Sequence, residues 1–274
     1  MRLVFAGTPQ FAIPTLNVLL QHHTILAVIT QSPKPAHRGH KETRQPAHEF
    51  ALQHHLPLIT EPINHLGAML RELKPDCIIV AAYGHIIKQD ILDIPRRGVI
   101  NVHASLLPKY RGAAPIQAAI LAGDTVTGVT IMQMVKDLDA GPVIAQKAIP
   151  IASNETAGSL HDKLSHLGAR LLDEVLTSYT SSPFPLTAQN SRDATYAPKI
   201  RPQDAEIIAT EPALLIERKI RAYNPWPGAY IIITNYQLLI TNKPHGSNQQ
   251  TLRLKIWKAE IKKDANASLA IQTS

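Results

Sequence analysis

N-V-H-A-S-L-L-P-K-Y-R-G-A-A-P-I-Q, residues Asn101 to Gln117, is the stretch on which the reading of this chain turns. It follows an apolar run, Gly98-Val99-Ile100, that reads as the end of a buried strand. Asn101 and His103 are two positions apart, so on an extended chain both point to the same side. A strand thus delivers an amide and an imidazole together to a loop. Ser105 to Pro108 turns the chain, with φ fixed at the proline. Ala113 onward reads as a helix with Pro115 in its first turn, where a missing N–H costs little. Polar groups at the carboxyl end of a strand in an open α/β sheet are where such folds hold their ligands.

Upstream, Leu3 to Ala6, Ile25 to Ile29, Leu56 to Ile59 and Cys77 to Ala82 are short apolar runs of strand type. Helical spacing of apolar residues separates them: Ile13, Leu16, Leu19 and Leu20, then His48 to His54, then Leu66 to Leu73. This alternation predicts a mostly parallel sheet with helices on both faces. Downstream, Gly128 to Met134 and Val143 to Ile149 are expected to pair as a hairpin-like edge. Thr156 to Leu176 is expected to be a long amphipathic helix. The pattern changes after Thr180-Ser181-Ser182-Pro183-Phe184-Pro185. One helix signal, Ala213 to Ala222, precedes strand signals at Ala229 to Thr234, Gln237 to Thr241 and Leu252 to Lys258. Consecutive strands joined by turns predict a small barrel or sandwich. The expected division is an α/β domain over residues 1–180, a linker over 181–205 and a β domain over 206–274.

Composition bounds the function. The 274 residues are 45% hydrophobic and 18% charged, which fits a folded globular chain. A single cysteine, Cys77, excludes an intramolecular disulfide and fits a reducing compartment. Met1-Arg2 leads directly into a strand pattern, so no signal peptide is expected and the cytoplasm is the expected location. No apolar run reaches the roughly 18 residues of a membrane span. Net charge is +7, and residues 191–274 carry +5 of it. That concentration points to a polyanionic partner such as nucleic acid.

Asn101, His103 and Asp139 are the first candidates for chemistry. An imidazole can exchange protons near neutral pH, a carboxylate can hold its tautomer, and an amide can stabilise an oxyanion. No serine or cysteine nucleophile is paired with them, so the set suits transfer through a tetrahedral intermediate without a covalent enzyme step. The plainer alternative is a buried histidine bonded to backbone and an aspartate capping a turn. Thirteen histidines raise the question of metal, but no HExxH or CxxC pattern occurs, and no metal is expected. Gly7-Thr8-Pro9 is too short for a phosphate-cradling glycine loop, so NAD and ATP are not expected either. The polar loop from Gln31 to Pro46 carries Lys34, Arg38, Lys41 and Arg44, placed to meet phosphates or merely solvated.

Together these stretches resemble the methionyl-tRNA formyltransferases. The resemblance rests on F-A-G-T-P-Q-F-A (Phe5 to Ala12), the loop with Arg38-Gly39-His40-Lys41, and A-Y-G-H-I-I (Ala82 to Ile87). It continues through Asn101 to Gln117, G-V-T-I-M-Q-M (Gly128 to Met134), L-D-A-G (Leu138 to Gly141), Y-A-P-K-I (Tyr196 to Ile200) and R-A-Y-N-P-W-P-G (Arg221 to Gly228). It implies a Rossmann-like formyltransferase domain followed by a small OB-like β-barrel that binds tRNA. It implies transfer of a formyl group from 10-formyltetrahydrofolate, as co-substrate, to the α-amine of methionyl initiator tRNA. On this resemblance Asn101, His103 and Asp139 are catalytic. Ser105, Leu106, Leu107 and Pro108 form the folate-binding turn. Tyr83, Gly84 and Ile87, with the Met134–Asp139 loop, wall the pterin pocket. Arg38 and Lys41 reach the tRNA, and a monomer is expected.

The sequence also departs from that pattern. Gln10 stands where an acidic residue is usual, and Val135-Lys136-Asp137 replaces an acidic-and-glycine run. Met134-Val135-Lys136 followed by Asp139-Ala140-Gly141 resembles the sugar-nucleotide N-formyltransferases, the alternative enzyme class. A tRNA-binding protein without catalysis is the alternative outside enzymes, and the intact Asn101, His103 and Asp139 argue against it. Ser274 falls short of the family's usual end, so a truncated barrel is expected. If the basic loop meets tRNA phosphates, Arg38→Ala combined with Lys41→Ala weakens use of tRNA, increasingly so as salt is raised, and leaves folate binding unchanged. Titrating KM for tRNA against ionic strength checks this.

Overall fold

The structure, a computed structural model, describes residues 1–35, 42–180, 182–234, 251–261 and 269–272. Arg38 and Lys41, and the strand expected at Gln237 to Thr241, lie outside the described residues. The chain forms two compact units. The first comprises Met1–Pro115, Val126–Pro150 and His161–Pro198, and the second Ile116–Thr125, Ile151–Leu160 and Lys199–Ser274.

A seven-stranded sheet organises the first unit. Its strands are β1 (Arg2–Gly7), β2 (Thr24–Ile29), β3 (Leu58–Ile59), β4 (Cys77–Ala81), β5 (Val99–His103), β6 (Val126–Gln133) and β7 (Val143–Pro150). The spatial order is β7-β6-β5-β4-β1-β2-β3. β1 to β5 pair in parallel, whereas β6 runs antiparallel to β5 and β7 antiparallel to β6. The hairpin-like edge expected from sequence is therefore present. The apolar runs of β1, β4 and β5 are buried almost throughout because helices cover both faces.

On one face, Val4, Ala6, Ile29, Ile78, Val80 and Val99 join a core with Leu70 of α3 (Gly67–Leu73) and Ile91 of α4 (Gln89–Leu92). A run as short as α4 gives no periodic signal, and the sequence reading did not find it. α2 starts at Pro46 and ends at Gln53, two residues earlier than the expected start, with the proline in its first turn. The long polar segment before it is not all loop, since Lys34–Pro35 pairs with Glu42–Thr43.

α5 (Pro115–Ala122) starts at the proline expected in its first turn, and the opposite face of the sheet receives α1 (Ile13–His22) and α6 (Ala157–Ser178). Ser165 of α6 donates to the carbonyl of Phe11, 2.9 Å away, and His22 of α1 pairs with Asp173 of α6 at 2.8 Å. Gly168 lies in mid-helix, where glycine is disfavoured. A Cβ there would stand 2.6 Å from Val102 Cγ1, so the missing side chain lets α6 settle onto β5. At the far end of the helix, the Arg97 guanidinium donates to the carbonyls of Tyr179, Thr180 and Ser182 and lies over the Phe184 ring. Cys77 is fully buried in β4, and burial pushes its thiol up to about 12.

The second unit contains α7 (Ala213–Ala222) and two antiparallel pairs, β8 (Tyr230–Thr234) with β9 (Thr251–Lys255) and β10 (Lys258–Ile261) with β11 (Leu269–Gln272). Ile216 and Ile220 of α7 pack with Ile207, Ala229 and Ile256. The Arg253 guanidinium lies 3.5 Å from the centre of the Tyr230 ring, and Lys255 lies near the Trp257 ring. Among the described residues no helix is long and apolar enough to cross a membrane.

The close seat of α6 carries a measurable consequence. Gly168→Val forces a branched side chain into Val102 and Val129. It is expected to destabilise the fold by about 1–3 kcal/mol, read as a lower urea midpoint at an unchanged slope.

Candidate active site

β5 carries Asn101 and His103 on the same side as Val99, while Ile100 and Val102 face α6. β6 runs beside it with Met132 opposite Asn101 and Thr130 opposite His103. Both candidates are nearly buried, Asn101 at 9% and His103 at 6% exposure. The same-side placement read from their spacing is therefore realised on a fully paired strand.

Downstream of β5 the chain turns over β6. Thr130 Oγ1 donates to the carbonyl of Ser105 at 2.6 Å and accepts from the amide of Leu107 at 3.0 Å. Gln146 of β7 adds donations to the same hydroxyl at 2.9 Å and to the Leu107 carbonyl at 2.8 Å. Ser105 turns its own hydroxyl inward onto the carbonyl of Lys109 at 2.6 Å. Ser105 and Leu107 are thus buried parts of the turn, and Leu106 and Pro108 are its partly exposed members. Leu106 packs over Gly128 of β6, where a Cβ would meet its Cδ2 at 2.6 Å.

The turn leads to Tyr110, whose carbonyl accepts from His103 Nε2 at 3.0 Å. A carbonyl only accepts, so this nitrogen carries the proton. The other ring nitrogen, Nδ1, faces Asp139 Oδ2 at 3.7 Å, beyond a direct hydrogen bond. That same carboxylate oxygen accepts from the amide of Gly112 at 2.8 Å. Both contacts of the plainer reading are therefore present, a histidine on backbone and an aspartate on a turn. The structure adds their convergence. Tyr110 and Asp139 both adopt positive φ, +61° and +46°. Aspartate tolerates that region, and a bulky tyrosine rarely does. Such strain persists where surrounding contacts overdetermine it, and it gathers at functional sites.

The Tyr83 and Ile87 side chains lie in the core, at 2% and 3% exposure. The Tyr83 hydroxyl accepts from the amide of Ile63 at 3.0 Å, and burial raises its pKa above the ordinary phenol value. Met134 packs against the same core cluster, so the two expected walls meet beneath the surface. Gly84 takes φ +81°, and it faces solvent together with Ala82, His85 and Ile86, the last at 80% exposure.

Residues that the sequence reading passed over complete the surroundings. Arg111 is buried and donates through Nε and Nη2 to Gln189 Oε1. Thr195 accepts from the amide of Tyr110 on its hydroxyl and from the amide of Arg111 on its carbonyl, each at 2.8 Å. Tyr196 and Ala197 then pair in parallel with Arg111 and Gly112. Single polar residues in a Pro- and Ser-rich stretch carry no periodic signal that would have revealed this. Among the described residues no group of three His, Cys, Asp or Glu side chains is placed to hold a metal ion.

Residues 1–176 match the model of the formyl transferase family, and residues 199–273 match that of the formyl transferase C-terminal domain. A methionyl-tRNA formyltransferase of Legionella pneumophila (strain Philadelphia 1) is 47% identical over 245 residues, 88% of this chain and 78% of that protein. One from Albidiferax ferrireducens is 44% identical over 273 residues, 95% of this chain and 80% of that protein. Among solved structures, an N-formyltransferase from Helicobacter canadensis in complex with folinic acid and dTDP-3-aminofucose has a TM-score of 0.69 at 23% identity, over 96% of this chain and 88% of that one. A methionyl-tRNA formyltransferase from Clostridium thermocellum has a TM-score of 0.62 at 15% identity, over 100% and 98%. At those identities the two structures bear on the fold.

The Thr130 hydroxyl is the fixed point of the turn and is fully buried. Thr130→Val keeps the shape and strands the Leu107 amide without a partner. A loss of about 1–3 kcal/mol is expected, the size of an unsatisfied buried donor, measured by thermal or denaturant unfolding.

Proposed function

This chain belongs to the methionyl-tRNA formyltransferase family, enzymes that formylate methionyl initiator tRNA with a folate-type formyl donor, and from that premise we propose how its residues carry the reaction. The donor is 10-formyltetrahydrofolate, and the acceptor is the α-amine of the esterified methionine. The amine attacks the formyl carbon, and the carbonyl oxygen takes up negative charge. The Asn101 side-chain amide donates to that oxygen, a contact that strengthens as the charge develops. His103 presents Nδ1 to the reacting groups, because its Nε2–H is committed to the Tyr110 carbonyl. Asp139 sits across from Nδ1 and receives the proton that the amine must lose. The tetrahedral intermediate then collapses, the bond from the formyl carbon to N10 breaks, and N10 takes up a proton from the His103–Asp139 pair as tetrahydrofolate leaves. The pair therefore brackets the acceptor nitrogen.

The observation that carries this reading is the convergence of His103 Nδ1 and Asp139 Oδ2 at 3.7 Å, beside an amide on the same strand face. No direct bond ties the two acceptors to each other, so both can hydrogen-bond one shared group placed beside them. Ser105 to Pro108 is proposed as the donor-binding turn. Its support is the rigid seat on Thr130 and Gln146, which leaves Leu106 and Pro108 outward. Tyr83, Gly84 and Ile87 are proposed to back the pterin pocket from the core side. Basic and aromatic groups of the second unit, Arg253, Lys255 and Trp257, support its role in holding tRNA.

The test is formyl transfer from 10-formyltetrahydrofolate to charged initiator tRNA, with UDP-4-amino-4-deoxyarabinose as a parallel acceptor. Transfer to the tRNA is expected, and transfer to the sugar nucleotide alone would overturn the acceptor assignment. His103→Ala and Asp139→Asn are each expected to lower kcat by about 10²–10⁴-fold with tRNA affinity unchanged. An unaltered kcat in either variant removes that residue from the mechanism.

A further inference from the structure

The chain between α6 and Lys199 returns to the site and grips it with one side chain. Gln189 Nε2 donates to the carbonyl of Asp139 at 2.8 Å and to that of Gly141 at 2.7 Å. Its Oε1 accepts from Arg111 Nε at 3.1 Å and Nη2 at 2.8 Å. The amide can satisfy this set in one orientation only, since a reversed amide would turn its N–H₂ on a guanidinium and its oxygen on two carbonyls.

These bonds close a ring. Gln189 holds the backbone of Asp139, Arg111 holds Gln189, and the next residue, Gly112, holds the Asp139 carboxylate through its amide. Backbone and side chain of Asp139 are thus fixed from one platform. We infer that Gln189 is a positioning residue for Asp139: its amide draws two carbonyls of the loop together, holds Asp139 at φ +46°, and so sets the gap between the carboxylate and His103. This rests on the proton-accepting role proposed above for Asp139.

The strap that delivers Gln189 is itself pinned on both sides. Thr187 exchanges backbone hydrogen bonds with Val143 at 2.8 and 2.9 Å, and Tyr196 and Ala197 pair with Arg111 and Gly112. Its freedom is therefore small, and the grip on the loop is preorganised. A displacement of about 1 Å at a reacting group can cost about 10²-fold in rate, so a loop allowed to relax from the left-handed region would be felt in turnover before binding.

The experiment uses the full chain with 10-formyltetrahydrofolate and methionyl initiator tRNA. Gln189→Leu removes all four bonds. Gln189→Glu keeps an acceptor for Arg111 and loses both donors to the loop. Both variants are expected to lower kcat by about 10- to 10²-fold, with KM for donor and tRNA unchanged. In an Asp139→Ala background, under single turnover, Gln189→Leu should add no further loss, because residues acting through one another are not additive. Wild-type kcat in either Gln189 variant overturns the inference. So does a loss that multiplies with Asp139→Ala, or one that a thermal melt attributes to unfolded protein at the assay temperature. Full activity in Asp139→Ala alone is a different outcome, because it removes the role of Asp139 whatever Gln189 does.

Discussion

A single buried hydroxyl governs the geometry of this site. Thr130 Oγ1 has no access to solvent, yet it donates once and accepts twice, joining β6, the turn after β5 and β7. No water can replace a lost partner there, so the turn has one way to lie on the sheet. That constraint passes outward. The turn sets the course of residues 108–112, their course puts the Tyr110 carbonyl against His103, and the bond leaves Nδ1 as the ring nitrogen that faces Asp139. Sheet register, turn conformation and ring tautomer are three expressions of one packing decision.

Among the described residues, three of the five non-glycine positions with positive φ lie in loops that follow the central strands. Ala82, Tyr110 and Asp139 adopt the left-handed region without being glycine, each in a loop after β4, β5 or β6. Such conformations cost of order 1–3 kcal/mol each. The compensation is visible for two of them. Tyr110 is held on its amide by Thr195 and on its carbonyl by His103, and Asp139 is held on its carbonyl by Gln189 and on its carboxylate by Gly112. Contacts of this kind hold both loops in one arrangement, the preorganisation that the proposed oxyanion stabilisation calls for.

Much of this was legible in the sequence because its periodicity is strong. The apolar runs that became β1, β2, β4, β5 and β6 stand out, and the two-residue spacing of Asn101 and His103 was enough to put them on one face of β5. Asp139 was singled out as a loop carboxylate at a strand end, although no periodicity specifies its place near them. The strand order, with β1 between β4 and β2, depends on crossovers that alternation does not encode. α4 is too short for a helical period. Thr130 reads only as one more strand residue, since its three partners come from two other segments. Gln189 was hidden for a similar reason. Its four hydrogen bonds reach residues 48 to 78 positions away, and its own neighbours are the kind that usually fill loops.

Cys77 gives the fold a chemical meaning beyond packing. An enzyme that handles an activated acyl carbon must prevent competing nucleophiles from reaching it, and a thiolate is intrinsically a strong competitor. This chain has one thiol. It is seated inside the sheet at the start of β4, with its pKa pushed to about 12, so it stays protonated and out of reach while the fold is intact. Thioester formation on the protein is therefore closed as a side reaction. Chemoselectivity toward the amine is secured in part by where the architecture stores its sulfur.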